Sequence, residues 1–309
     1  MRRFTIIFVL IAITLPGCSR TPNSQAHYRV MSMLKNGEYD EALKDVDLRL
    51  QREPHKRVFL EDRLILLLAS QSPQARVEIL KVQRQLDAFS EGRQLLLEQS
   101  SSQLPRIRQQ SAFALGELRE ASSIEVLKSL AEDREAEVRA EAIHALGKLA
   151  RPETKNLLLI RLRDGNWKVR AEAADALARI GDASASSQLF RAVADHDDYA
   201  RMHILDALLT LAHTTETPLY FQQLTSDDLT RKTAAALLLG KLGRQEAVPV
   251  LIQLLEDKNN PERVQIAQVL IGLRPDSVRD SLEALLKNEQ NPRVKALLID
   301  YFQRKTSGV

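Results

Sequence analysis

The chain has 309 residues, of which 44% are apolar, 5% aromatic and 28% charged, with 44 lysines and arginines against 41 aspartates and glutamates. It is too apolar for a disordered chain and too evenly charged for a nucleic-acid binder, which needs a basic stripe. Its single cysteine excludes an intramolecular disulfide.

The first segment reads as an export signal. Arg2 and Arg3 precede an apolar run from Phe4 to Leu15, too short to span a bilayer and of the right length for a secretory signal. It ends in Leu15-Pro16-Gly17-Cys18, which resembles a bacterial lipobox, with proline where a small residue is commonest. The resemblance implies cleavage before Cys18 and acylation of its thiol and new amino group, with palmitate among the chains. Several acyl chains on one residue anchor stably where one is marginal. Ser19 after the cysteine, in place of aspartate, favours the outer membrane in similar enteric lipoproteins. An ordinary signal, uncleaved or cleaved elsewhere, is the alternative. Residues 1–17 are thus a signal peptide and 18–25, polar and proline-containing, a lipidated cysteine and tether. Losing Arg2 and Arg3 leaves 42 basic against 41 acidic residues, so membrane attraction rests on the lipid.

Residues 26–104 read as helical. Gly37-Glu38-Tyr39-Asp40-Glu41-Ala42, with Pro54 twelve beyond the alanine, resembles the second half of a tetratricopeptide repeat. The preceding helix lacks the aromatic, leucine and glycine positions of such a repeat. Further helices are predicted over Leu60–Ala69, Ala75–Phe89 and Arg93–Glu98, with Pro73 and Gly92 as breaks. The run Leu64 to Ala69 is far too short for a membrane span and predicts a buried helix. The polar run Gln99 to Gln103 before Pro105 marks a boundary.

From 105 to 309 the chain repeats itself. Arg108, Arg139, Arg170, Arg201, Lys232 and Arg263 stand 31 apart. Seven places after each come Leu115, Leu146, Leu177, Leu208, Leu239 and Leu270, and three further on Leu118, Leu149, Ile180, Leu211, Leu242 and Leu273. Nineteen after the basic residue stand Leu127, Leu158, Leu189, Tyr220, Leu251 and Leu282, and twenty-five after it Asp133, Asp164, Asp195, Ser226, Asp257 and Asn288. A fixed period of this size is the signature of stacked supersecondary units. Each unit reads as two helices that bury their apolar stripes only by stacking. Gly116, Gly147 and Gly240 share one slot, which predicts helices passing too close there for a side chain. The basic and Asp columns could be a binding ladder. The structural reading is that each Asp caps the next helix and that the basic residue six later pairs with it or its neighbour.

Units such as Val138-Arg139-Ala140-Glu141-Ala142…Ala145-Leu146-Gly147-Lys148-Leu149 resemble HEAT repeats. Their period is like that of the short subclass first associated with phycobilin lyases. About six repeats and a partial seventh, Arg293 to Phe302, carry the resemblance. It implies an all-α, right-handed α-solenoid of stacked helical hairpins, here preceded by the TPR-like segment. Repeats four to six depart from it: Ala200, Arg231 and Glu262 replace the usual valine or isoleucine before the basic column.

Chemistry is hard to find. No His-Glu-x-x-His spacing appears among His27, His55, His144, His196, His203 and His213. None is followed by glutamate, whereas HEAT-type hydroxylases bind iron through His-Glu dipeptides. Asp195-His196-Asp197-Asp198 could attract a cation, but it occupies the turn slot of Asp133-Arg134-Glu135, and a solvated turn is the plainer reading. Trp167, the sole tryptophan, reads as an inter-repeat packing residue in preference to a ligand platform. Tyr220-Phe221 falls where the leucine column predicts core. No enzyme, metal or cofactor is expected. The expected function is a membrane-anchored periplasmic scaffold that docks protein partners of the cell envelope, and no nucleic acid, in a groove lined by the helices that carry Lys128, Lys155, Gln188, Gln222, Gln223 and Gln253. The alternative is a glycan- or small-molecule-binding, or lyase-like, envelope protein.

Overall fold

The computed structural model describes residues 22–87, 92–212, 217–273 and 279–306. The signal and Cys18 lie outside them. Among the described residues there are eighteen α-helices and no strand, as the periodicity predicts. The chain divides into two compact units, Met1–Ala114 and Leu115–Val309.

The first unit holds α1 (Pro22–Asn36), α2 (Tyr39–Arg52), α3 (Arg57–Ala69), α4 (Ala75–Asp87), α5 (Gly92–Gln99) and most of α6 (Pro105–Leu118). Gly37 sits at φ +79°, a left-handed conformation that glycine adopts without strain, and so turns α1 into α2. Val30, Ala42, Val46, Phe59 and Leu66 form a buried cluster. Helix α3 is apolar nearly all round because α1, α2, α4 and α5 all pack on it. Leu64, Leu66 and Leu68 are accordingly inaccessible to solvent. Asp62 is buried on the same helix, 2.5 Å from His27 Nδ1 on α1. Hydrogen bonding to this carboxylate outweighs the opposing effect of burial and raises the His27 pKa.

The second unit alternates short and long helices: α7 (Ile124–Leu130), α8 (Ala136–Leu149), α9 (Lys155–Arg161), α10 (Trp167–Ile180), α11 (Ser186–Ala192), α12 (Asp198–Leu211), α13 (Thr217–Gln223), α14 (Leu229–Lys241), α15 (Val248–Glu256), α16 (Arg263–Leu273), α17 (Arg279–Asn288) and α18 (Pro292–Thr306). Each short helix packs on the long one that follows, and each long helix from α8 to α16 packs on the next long one. The result is two layers. The long layer is tight because its contacts are made of glycine and alanine. A Cβ on Gly116 would lie 2.6 Å from Ala145 Cβ, and one on Gly147 2.9 Å from Ala176 Cβ. The recurring glycine slot is thus a close approach between helices, as its recurrence predicts.

Both main leucine columns are buried. Leu115, Leu146, Leu177, Leu208, Leu239 and Leu270 face the core, as do Leu127, Leu158, Leu189, Tyr220, Leu251 and Leu282. The third column is less so: Leu149 and Leu211 are buried, whereas Leu118, Ile180, Leu242 and Leu273 remain partly exposed. Pro152 opens a 3-10 turn, Pro152–Thr154, and α9 begins at Lys155.

Candidate protein-docking surface

The basic and Asp columns meet at the junctions between repeats, but in a register one repeat away from the expected one. Arg139 Nε and Nη2 donate to the Asp164 carboxylate, 25 residues on, at 2.9 and 2.8 Å. Its Nη1 donates to the Asp133 carbonyl at 2.8 Å. Arg170 repeats the arrangement, with Nε and Nη2 2.6 and 2.7 Å from Asp195 and Nη1 2.9 Å from the Asp164 carbonyl. The residue six earlier therefore offers its backbone, and the carboxylate comes from the following unit.

The aspartates do not cap the helices themselves. Asp164 and Asp195 accept from the N–H groups of Asn166 and Asp197, two residues on. Asn166 and Asp197 then cap α10 and α12. Burial opposes ionisation of Asp164 and Asp195. The guanidinium and N–H donors outweigh it and hold both carboxyls below their usual range. The clamp changes where the acid does. Arg263 grips Glu289, next to the Asn288 of the column. Position 226 is serine, and Arg201 turns to Asp198 at 2.7 Å and to Glu262 at 3.7 Å. These side chains are structural, and Asp195, Asp197 and Asp198 of the turn cluster are each already engaged.

The exposed face of the long layer is different. His144 on α8 lies 2.8 Å from Glu172 on α10. Asp175 on α10 lies 2.9 Å from His203 Nδ1 on α12. Both pairs join residues 28 apart, so they are one lateral contact repeated. The next step would join Asp206 to residue 234, which is Ala234. Alanine has no polar group to offer, and the Asp206 carboxylate has no hydrogen bond or ion pair among the described residues. Burial pushes its pKa up, His203 opposes this, and Asp175 adds to it.

Beside Asp206 lies an exposed apolar patch. Tyr199, one turn before His203, meets that imidazole at a 44° tilt with ring centres 4.5 Å apart and meets Trp167 edge-on at 5.1 Å. Trp167 does touch the next repeat, as a packing residue should, yet it stays 42% exposed, with Tyr199 at 51% and Met202 at 43%. An exposed apolar group rimmed by polar side chains is how an interaction surface is built. Tyr220, by contrast, is fully buried against Phe190.

The residues expected to line the groove lie on the short layer. Lys128 on α7 pairs with Glu125 in its own helix. Lys155 on α9 binds Asp182 at 2.6 Å and Ser184 at 2.9 Å across the junction. These donors, with the Ser184 N–H, bring the Asp182 pKa down to about 2. Gln188 on α11 lines a polar cleft with Arg163, Arg191 and His196. Gln222 and Gln223 on α13 and Gln253 on α15 are at least partly exposed. The six lie on successive short helices, from α7 to α15. Tyr199, Met202 and Asp206 were missed, although the 28-residue spacing of His144 to Glu172 and of Asp175 to His203 was there to be read once the period was set.

The sequence pattern described as HEAT repeats matches residues 61–147, 92–165, 156–219 and 217–301. The chain belongs to the HEAT-repeat family. The first of these matches begins inside the segment read as TPR-like. No curated protein matches the chain at a significant level. Among solved structures, Escherichia coli YibA is 19% identical over 79% of this chain and 92% of its own, with a TM-score of 0.54. Kap95p, in a complex concerned with RanGDP and nuclear import, is 13% identical over 85% of this chain and 44% of its own, with a TM-score of 0.55. The CpcE–CpcF phycocyanin lyase of Nostoc is 18% identical over 69% of this chain and 94% of that one, with a TM-score of 0.42. The likenesses to YibA and Kap95p establish the α-solenoid fold alone. Among the described residues, no helix is long and apolar enough to cross a membrane.

Proposed function

We propose that this HEAT-repeat protein is a non-catalytic scaffold, held at the bacterial outer membrane by acyl chains on Cys18 and facing the periplasm, which docks a protein of the cell envelope on the exposed face of its long helices. The observation that carries the docking face is the contiguous exposed group Trp167, Tyr199 and Met202, set on the most tightly packed layer of the repeat. A rigid layer presents side chains in fixed positions, which lowers the ordering cost of binding. Kap95p, of similar fold, binds a protein, as the description of its complex says, which supports protein docking as a use for such a surface. The anchoring half of the reading rests on the apolar run and on Leu15-Pro16-Gly17-Cys18.

The test is crosslinking in cells that produce tagged protein, purification from solubilised membranes, and identification of what accompanies it, with Cys18→Ala as comparison. One envelope protein recovered near stoichiometrically from the wild type, and depleted with Cys18→Ala, is the expected result. Correct membrane location with no discrete companion would overturn the docking half, and a Cys18→Ala protein that stays membrane-bound would overturn the anchor.

A further inference from the structure

We infer that α1 lies along the membrane surface, with the side that carries Tyr28, Arg29 and Lys35 against the phosphate-bearing headgroups of the leaflet that holds Cys18. This rests on the acylated-anchor reading above and adds what an anchor alone leaves open, the way the first unit stands on the lipid.

The length of chain between anchor and fold supplies the first argument. Helix α1 begins at Pro22, four residues after Cys18. Four residues span at most about 14 Å when fully extended, so the start of α1 stays within that distance of the acylated residue. Tyr28 comes six residues into the helix, about 9 Å further along its axis. Helix α1 is not long and apolar enough to cross a bilayer, so the contact is made by one of its sides.

The packing of α1 decides which side. Val30 is inaccessible to solvent in the core cluster, and Ala26, Met33 and Leu34 pack against that cluster. His27 holds Asp62 of α3 at 2.5 Å. These contacts fix the helix about its own axis. By helical periodicity Tyr28, Ser32 and Lys35 share the opposite side, with Arg29 beside them, and all four are exposed. Tyr28, at 76%, is the most exposed large apolar side chain among the described residues. It cannot turn inward without breaking the buried contacts. Tyrosine is favoured at the level of the headgroups, where its ring meets apolar chains and its hydroxyl meets water.

Charge supplies the third argument. The near balance of the mature chain hides a local bias: from Cys18 to Gly37 the sequence holds Arg20, Arg29 and Lys35 and no acidic residue. Arg29 and Lys35 have no hydrogen bond or ion pair among the described residues. Each basic residue close to an anionic lipid surface strengthens attachment about fivefold. The first carboxylates, Glu38, Asp40 and Glu41, come together just beyond the far end of α1 and are exposed. That end lies about 22 Å from the start of the helix. Attraction is therefore strongest over the first half of α1, at Tyr28 and Arg29, and Lys35 offsets the acids behind it.

The test uses the full acylated chain in vesicles of phosphatidylcholine and phosphatidylglycerol with bromine on the acyl chains, which quenches a tryptophan lodged at the lipid surface. Trp167 is the sole tryptophan, so a Trp167→Phe, Tyr28→Trp protein reports on α1 alone. Its emission should be quenched by the brominated vesicles and not by unbrominated ones. Arg29→Glu in that background should lower the contact equilibrium by about tenfold, as expected for reversing one charge near an anionic surface, and Lys35→Glu should lower it less. Both should leave the thermal midpoint unchanged, since both alter exposed side chains. Protein that floats with the vesicles through Cys18 yet shows no quenching at position 28 would overturn the inference and leave the anchor standing. Quenching that Arg29→Glu leaves undiminished would overturn it too. Protein with Cys18 intact that does not float with membranes sinks the anchor reading, and this inference with it. In cells, a photo-crosslinking residue at Ser32 should join to lipid, and joining to a protein or a glycan instead would overturn the inference.

Discussion

Replacing Arg170 with methionine should damage the array far more than replacing Arg201, although the two occupy the same position in adjacent repeats. The side chains of Arg170 and Asp195 are only 6% and 7% exposed. Without the guanidinium, a buried carboxylate keeps the Asp197 N–H and an exposed His196 at 3.6 Å, and the Asp164 carbonyl loses a donor. Breaking a buried ion pair from one side costs about 3–5 kcal/mol. Arg201 faces Asp198, which is 88% exposed, and reaches the largely buried Glu262 only at 3.7 Å; its loss strands no bidentate partner and should cost less, about 1–2 kcal/mol. Adding Asp195→Asn to Arg170→Met should restore part of the loss, because it removes the stranded charge. The assay is urea unfolding of the full chain, with hydrogen exchange on α10 and α12 to localise the break, since repeat arrays open junction by junction. The pH dependence follows from the depressed pKa of Asp195. The stabilisation is complete above the ordinary aspartate value near 3.8 and is lost as pH falls through the lower folded value, so the difference between the variants should narrow in acid. If the two variants lose stability equally, to within about 0.5 kcal/mol, the clamp is not what holds this junction.

Three further outcomes are expected. Gly116→Ala sets a methyl group 2.6 Å from Ala145 Cβ and 2.9 Å from Ala145 Cα; overpacking of about 1–3 kcal/mol outweighs a helix-propensity gain of about 1 kcal/mol, and urea unfolding should show a net loss. Gly165→Ala, with nothing within 4 Å, serves as the control. Asp206→Asn should leave the free protein within about 0.5 kcal/mol of wild type in thermal unfolding at neutral pH, since it changes an exposed side chain whose carboxylate holds no hydrogen bond or ion pair among the described residues. His27 has a raised pKa, so its pairing with Asp62 contributes fully below the ordinary histidine value near 6.5 and is lost as pH rises through the higher folded value. Exchange protection of α1 should fall over that window, and His27→Asn should abolish the pH dependence.

Much of the fold was legible in the sequence because it is one short statement repeated. The 31-residue columns named the buried leucines and the glycine slot without reference to coordinates, since a repeat can be stable only if each unit buries the same face against its neighbours. The helix at Leu64 to Ala69 was legible too, by length and apolarity. The pairing of the arginines was not. Proximity in sequence pointed to the aspartate six residues back, whereas the repeat brings the next unit's aspartate to the same guanidinium, a contact visible only once helices are stacked.

The sequence alone determined the period, the helical class and the core columns, because burial leaves a periodic trace. Only the tertiary structure decided which exposed side chains share a face. Lys128, Lys155 and the glutamines follow the repeat pattern yet lie spread over the short layer, where Lys155 is taken up by Asp182. Trp167 and Tyr199 break the pattern and meet on the long layer. Core positions recur because every junction must pack alike, whereas surface chemistry needs to be built only once.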